Sequence, residues 1–263
     1  MPELPEVEAV CGKLRAEAAG APVRRLVIQR RRITSPDDPA RVEAAAAGRT
    51  LDAIDRVGKN ILLRLGPVTL HAHLRMTGNL CVIPDHRLRP AAASAWFELA
   101  CGRGIVFEDP RGLGTLRLLD GPLPGLGPEP LDPGFTAERF VAAARASRQP
   151  AKLFLMDQRK VAGIGNIYAA EALFHAGIDP RRPIGRIAPR RLAALHAVVV
   201  RVLNDAVQFA YITYSRPGGF READDYTPAV YGREGESCVA CGTPIRRVAQ
   251  GGRSTYFCPK CQR

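Results

Sequence analysis

Lys152-Leu153-Phe154-Leu155-Met156-Asp157 leads into Val161-Ala162-Gly163-Ile164-Gly165-Asn166-Ile167-Tyr168, and how this stretch is read decides the fold. Two glycines spaced like the start of a dinucleotide fingerprint invite an α/β reading, but that fingerprint needs a preceding strand and a third glycine. Neither is present. The residues before it are helical in character, so the glycines make a tight turn between two helices. Backbone N–H groups at the start of the second helix, together with Asn166, then suit a phosphate. A purely structural helical hairpin is the competing reading.

Around this turn the chain reads as helical. Thr136 can cap a helix to about Ser147, and helical stretches follow near Pro150 to Met156, Asn166 to Ala176 and Pro189 to Phe209, with Pro189 in a first turn that tolerates proline. Tyr211 to Val230 is expected to be a long irregular segment, a length that usually signals function or mobility. Upstream, a Gly- and Pro-dense loop, Gly121 to Pro133, marks the boundary between an N-terminal domain, 1–130, and a C-terminal one, 131–263. The N-terminal part opens with a helix near Glu6 to Ala19. Short apolar and β-branched runs follow at Val23 to Gln29, Asn60 to Leu65, Val68 to His73, Trp96 to Ala100, Ile105 to Phe107 and Thr115 to Leu119. Their turn signals and spacing predict an antiparallel sandwich rather than βαβ units. The fold class is therefore α+β.

The end of the chain carries the most specific motif. Cys238-x2-Cys241 and Cys258-x2-Cys261 are separated by 16 residues, the two-knuckle spacing of a structural zinc site, and four thiolates leave no open position for catalysis. The metal's task is folding. The finger, about 229–263, also carries Arg246, Arg247, Arg253 and Lys260 beside Tyr256 and Phe257, a basic hairpin suited to DNA. A merely solvated ribbon is the alternative.

Composition narrows the partner. The chain has 263 residues, 46% of them hydrophobic, and 38 Lys and Arg against 26 acidic residues, for a formal charge of +12. A surplus of this size favours a polyanion, because each phosphate neutralised releases counterions. Nucleic acid leads; a generally basic surface without a partner is the rival. No apolar run approaches the roughly 18 to 20 residues of a membrane span, and the opening residues lack a signal sequence, so a cytosolic, soluble protein is expected. Seven cysteines are present, and Cys11, Cys81 and Cys101, outside the cluster, read as small buried hydrophobes.

The opening Met1-Pro2-Glu3 carries a further possibility. Removal of Met1 leaves a secondary amine at Pro2, and an α-amino group titrates near pH ~7.7–8.0, so a useful fraction is neutral at physiological pH. Such an amine can attack a sugar carbon and form an iminium, with Glu3 as acid and base. Most Met-Pro-Glu starts are inert.

Taken together, these features resemble the formamidopyrimidine-DNA glycosylase and endonuclease VIII family of helix-two-turn-helix repair enzymes. The resemblance rests on Pro2-Glu3-Leu4-Pro5-Glu6-Val7-Glu8, Gly58-Lys59-Asn60, His73-Leu74-Arg75-Met76-Thr77-Gly78, Asp109-Pro110-Arg111, Leu126-Gly127-Pro128-Glu129-Pro130-Leu131, Met156-Asp157-Gln158 through Tyr168, and Tyr231-Gly232-Arg233 through Cys261. They run in the family's order, and Leu4 looks more like the formamidopyrimidine branch. The resemblance implies a β-sandwich domain and a helix-two-turn-helix domain with a zinc finger, DNA in the cleft between them, and a monomer. It implies Pro2 as nucleophile at C1′, Glu3 as general acid, and Lys59 as a phosphate-binding catalytic residue. His73, Lys152 and Asn166 would hold the bent backbone, and Arg253 would grip flanking phosphates and assist strand cleavage. Glu6 and Glu171 look like buried supports. Met76, Arg111 and Leu113 would fill the gap left by the extruded base.

Departures fall around lesion recognition. Gly112-Leu113 stands where the branch usually has Arg-Phe, Ala91 to Ala95 replaces a segment with a DNA-contacting histidine, and Tyr211 to Thr227 lacks the usual opening of the 8-oxoguanine loop. The expected function is a bifunctional DNA glycosylase and abasic-site lyase acting on oxidised purines in nucleoid DNA. Oxidised pyrimidines such as 5-hydroxycytosine are the alternative substrate. A non-catalytic damage-binding protein and a zinc-ribbon RNA-binding protein are the rivals from other classes.

Overall fold

The structure is a computed structural model that describes residues 2–123, 125–213 and 227–263. The chain forms two compact units, Met1–Pro124 with Val207–Asp225, and Gly125–Ala206 with Tyr226–Arg263.

In the first unit, helix α1 (Leu4–Ala18) precedes strand β1 (Val23–Ile28), helix α2 (Pro39–Ala46) and strands β2 (Ala53–Val57), β3 (Asn60–Leu65), β4 (Val68–His73), β5 (Asn79–Ile83), β6 (Ala93–Leu99), β7 (Gly104–Glu108) and β8 (Thr115–Leu118). They make two four-stranded sheets, ordered β1-β6-β7-β5 and β2-β3-β4-β8, antiparallel throughout. Period-two side-chain alternation explains the layering. Leu26, Ile28, Phe97, Ile105 and Phe107 from one sheet join Ile61, Leu63, Leu70 and Leu116 from the other in a single core. Trp96 and Val106, on the opposite face of the first sheet, join Cys81, Ile83 and Ala93 in a second, smaller cluster. β6 and β7 are buried along their whole length, the polar Ser94, Glu98 and Glu108 included. Two strands that the sequence did not signal, β2 and β5, complete the sheets. β2 carries Asp55 and Arg56, and its hydrophobic run is too short to stand out.

Helix α1 places Val7, Val10, Cys11, Leu14 and Ala18 in the sandwich core, a stripe at helical spacing. Tyr211 packs on the same core, and a Cβ at Gly12 would meet its phenol ring and oxygen, so glycine at this position makes room for the ring.

In the second unit, Thr136 caps helix α3 (Ala137–Arg145) by accepting from the Arg139 N–H, as its residue type suggests. Helices α4 (Ala151–Met156) and α5 (Asn166–His175) follow, then α6 (Pro189–Thr213), whose residues from Val207 on belong to the first unit. No strand precedes the glycines, so the dinucleotide reading falls away. The helix α6 runs four residues beyond the expected Phe209, so Tyr211 to Thr213 are helical; of the rest of the expected irregular segment, 227–230 are irregular as expected and 214–226 lie outside the described residues. By length and hydropathy this helix passes for a membrane span, against the expectation that no stretch would. Its buried residues Leu192, Leu195, Val199, Val202, Leu203 and Ala206 form one stripe, and Arg190, Arg191, Arg201 and Asp205 interrupt the sequence, the pattern of a core helix.

The finger is a hairpin of β9 (Arg246–Gln250) and β10 (Arg253–Phe257). Its turn residues Gly251 and Gly252 both have positive φ, 58° and 71°, the requirement of a tight type I′ turn.

Candidate active site and nucleic-acid interface

In the first unit, Pro2 and Glu3 sit at the N-terminus of α1 and are buried, Glu3 to 1% exposure. Pro5 lies in the first turn, where proline costs no helical hydrogen bond. The Glu3 backbone N–H donates to Glu6 Oε2 at 2.7 Å, one arm of a capping box that fixes the chain just after Pro2. Glu6 is itself buried, in keeping with a supporting role.

Lys59 occupies the two-residue turn between β2 and β3, half-buried, after Gly58 at φ 61°. Arg56 joins this turn to α1. Its Nε donates to Glu8 Oε2 at 2.6 Å and its Nη1 to the Gly58 carbonyl at 3.1 Å. Sequence reasoning missed Arg56; only the pairing of α1 with β2 brings Glu8 to it.

His73 ends β4 opposite Asn60. Its Nδ1 accepts from the Arg75 N–H at 3.0 Å, so the neutral ring carries its proton on Nε2 and offers a donor. Burial, reinforced by the positive charges of Arg75 and Lys59, pushes its pKa down to about 4. His71, which shares a hydrogen bond with Asn60 Oδ1 at 2.8 Å, is lowered in the same way, by burial first and then by Arg117 and Arg75.

The three residues expected to fill a base gap lie on two neighbouring loops. Met76 is 43% exposed, Arg111 is exposed and Leu113 is half-buried. Asp109, buried to 1% exposure, ties the loops together: Oδ1 accepts from Thr77 Oγ1 at 2.6 Å and from the Arg111 N–H at 3.2 Å, and Oδ2 from the Gly114 N–H at 2.7 Å. Gly78 and Gly114 are packed too closely for a side chain, since a Cβ would run into the Leu74 carbonyl oxygen at the first and the Phe107 ring at the second. Arg75, between His73 and Met76, is the one non-glycine residue at positive φ, 56°, among the described residues. An Asp-Pro-Arg-Gly run signals a side-chain-stabilised turn, so Asp109 was legible as a turn former; its second loop was not.

In the second unit, Gln158 builds the turns between α4 and α5. It donates to the Met156 and Ile164 carbonyls at 2.9 and 2.8 Å and accepts from the Gly163 N–H at 2.9 Å. Asn166 starts α5. Its Nδ2 donates to the Ser254 carbonyl at 3.1 Å, and Lys152 Nζ reaches the same carbonyl at 2.9 Å and Thr255 Oγ1 at 2.6 Å. Lys152 is fully buried, where a phosphate contact was expected; it holds the finger hairpin beside Arg253. Arg253 is exposed, with no ion-pair partner among the described residues. Glu171, buried, accepts from the N–H groups of Ala229, Val230 and Tyr231 at 2.7, 3.0 and 2.9 Å and anchors the chain where it enters the finger.

The four finger sulfurs lie within 4.8 Å of one another, with Cys238–Cys261 at 3.9 Å and Cys241–Cys258 at 3.6 Å. Four thiolates at a zinc–sulfur distance of about 2.3 Å stand about 3.8 Å apart in a tetrahedron, so the cluster fits zinc. Of the other cysteines, Cys11 and Cys81 are buried as expected, but Cys101 is exposed, in the turn between β6 and β7, where its Sγ accepts from Arg103 Nε at 3.5 Å.

Comparison with known proteins agrees with this organisation. Residues 1–116 match the formamidopyrimidine-DNA glycosylase N-terminal domain, 126–216 the H2TH domain of that enzyme, and 235–263 the zinc finger found in FPG and IleRS. A formamidopyrimidine-DNA glycosylase of Symbiobacterium thermophilum is 43% identical over the whole chain and 89% of its own length. The chain belongs to the formamidopyrimidine-DNA glycosylase family. A second formamidopyrimidine-DNA glycosylase, from Syntrophotalea carbinolica, is 38% identical over all of both chains. The MutM (Fpg) protein of Thermus thermophilus superposes with a TM-score of 0.83 at 37% identity, covering 99% of this chain and 98% of that one. Lactococcus lactis Fpg bound to DNA containing N7-benzyl-Fapy-dG superposes at 0.89 with 29% identity over 100% of both, and the same protein bound to abasic-site DNA at 0.88 over 99% of both. The four-cysteine cluster is the structural zinc site of the family's finger.

Proposed function

We propose that this formamidopyrimidine-DNA glycosylase family member is a base-excision repair glycosylase and abasic-site lyase that removes oxidised bases from duplex DNA. The observation that carries the reading is the Pro2-Glu3 opening, held at the N-terminus of a core-anchored helix in a chain that matches the family over its whole length. Once Met1 is removed, the Pro2 nitrogen attacks C1′ of the flipped nucleotide, and the base leaves with a proton. The resulting iminium makes the C2′ proton acidic. Its loss expels the 3′ phosphate by β-elimination, and a second elimination expels the 5′ phosphate. Glu3 serves as the acid that opens the sugar ring. Lys59, and His73 as a neutral donor, hold phosphates, while Met76, Arg111 and Leu113 enter the gap and offset unstacking of about a few kcal/mol. From the second unit, Asn166 and Arg253 meet flanking phosphates, and Lys152 acts through the hairpin. Zinc supplies folding free energy to the finger, not chemistry.

The Fapy-dG complex of Lactococcus lactis Fpg supports an oxidised purine as substrate, and within that class formamidopyrimidine and 8-oxoguanine are the lesions we assign. The smaller Leu113 wedge leaves oxidised pyrimidines as the substrate to compare. The enzyme is expected to work as a cytosolic monomer on nucleoid DNA. Borohydride trapping on an abasic-site duplex tests the chemistry: a covalent adduct that disappears in Pro2→Gly is expected. No adduct from the wild-type protein would leave a damage-binding protein instead. Excision rates on 8-oxoguanine, formamidopyrimidine and 5-hydroxycytosine duplexes then rank the lesions.

A further inference from the structure

A cavity of about 530 Å³ in the first unit is bordered by the wedge residues Met76 and Leu113 and lined by Arg32, Arg75, Arg117, Ser35 and Thr115. Three guanidiniums border it and no carboxylate does. Guanidinium cannot shed its charge, so these groups repel one another until an anion enters. Arg32 Nη2 is engaged by the Gly112 carbonyl at 2.9 Å, but Arg117 Nε is buried without a hydrogen-bond partner. An unmet buried donor is costly in the free protein and is answered by an incoming acceptor. Arg75 is kept at φ 56°, a conformation that glycine adopts at lower cost. The depressed pKa values of His71 and His73, both partly due to Arg75, record the same positive field.

We propose that this cavity is a phosphodiester-binding site, in which Arg75 and Arg117 take one backbone phosphate of the bound DNA beside the wedge and Arg32 lies at its rim. The proposal rests on the DNA-repair reading. Phosphate suits the lining better than a base does: there is no aromatic surface for stacking and no amide or carboxylate to read a base edge, whereas the guanidinium fork matches phosphate oxygens. The phosphate belongs either to the damaged strand or to its complement, and the test separates the two.

The experiment measures binding of the full-length zinc-loaded protein to duplexes holding a tetrahydrofuran abasic analogue. One phosphate at a time is made neutral as a methylphosphonate along each strand. Wild-type protein and Arg75→Gly/Arg117→Gln are compared. The expected result is one position where neutralisation weakens the wild type about tenfold or more and leaves the double variant almost unchanged. The double variant should also show a salt dependence flatter by about 0.9 in logarithmic slope. The strand carrying that position identifies the source of the phosphate. Arg75→Gly suits its backbone and carries the test alone if Arg117→Gln lowers thermal stability. If every position affects wild type and variant equally while the wild type still cleaves abasic DNA, the cavity proposal fails and the glycosylase reading stands. If the wild type binds no abasic duplex, both fall.

Discussion

Arg56 Nε donates to Glu8 Oε2 at 2.6 Å, and the same guanidinium reaches the Gly58 carbonyl, so one buried side chain sets the turn that carries Lys59 against the helix α1 that follows Pro2-Glu3. Lys59 and Pro2 belong to separate elements of one unit, and Arg56 is a link of fixed geometry between those elements.

Replacing Arg56 by Met should therefore separate catalysis from folding only in part. Loss of one partner of a nearly buried ion pair is expected to cost about 2 kcal/mol, less than the full penalty because Glu8 keeps Arg15 at 2.7 Å. Arg56→Lys keeps the charge but not the fork. We expect it to recover most of the stability in urea unfolding yet trap abasic DNA more slowly than wild type. Equal trapping rates would contradict the positioning role.

Asp109→Asn keeps the side-chain shape but turns one acceptor oxygen into a donor facing Thr77 Oγ1, Arg111 N–H or Gly114 N–H. The expected loss is about 1–3 kcal/mol, read by chemical denaturation, with weaker binding to gapped duplexes because both wedge loops are released. Thr77→Val removes a single bond and should cost about 1 kcal/mol.

The low pKa of His73 gives a pH dependence with a definite sign. Its folded value of about 4 lies below the model-peptide value of 6.5, so between these limits the unfolded chain binds a proton that the native state does not. Stability contributed by the neutral ring is complete above pH 6.5 and is lost as pH falls toward 4. The full effect is up to about 3 kcal/mol, with His71 adding in the same direction. His73→Gln should flatten the stability profile in that window; a profile as steep as wild type would show that other groups cause it.

Removing zinc with a chelator, or changing Cys258 to Ser, should unfold the finger and leave the sandwich intact. Hydrogen exchange is expected to lose protection at the amides of β9 and β10 and keep it in β3 and β4. DNA affinity should fall with the finger, since Arg253 and its neighbours then lack a fixed hairpin. Added zinc should restore both in the chelated protein but not in the Cys258→Ser variant.

The sequence by itself determined the α+β class, the antiparallel pattern of β1, β3, β4, β6, β7 and β8, the glycine turn before Asn166, the zinc ligands and the family, because each depends on residue type and spacing along the chain. Hydrophobic period, helix caps and cysteine spacing are local signals. Only the tertiary structure decided that Arg56 joins Glu8 to Gly58, that Asp109 holds Thr77 as well as its own loop, that Lys152 turns inward to Ser254 and Thr255, and that Arg32, Arg75 and Arg117 share one cavity. Those partners lie far apart in the chain or on separate elements, and a side chain's partner across such a separation is set by strand order and register. Its own sequence neighbourhood carries no record of them.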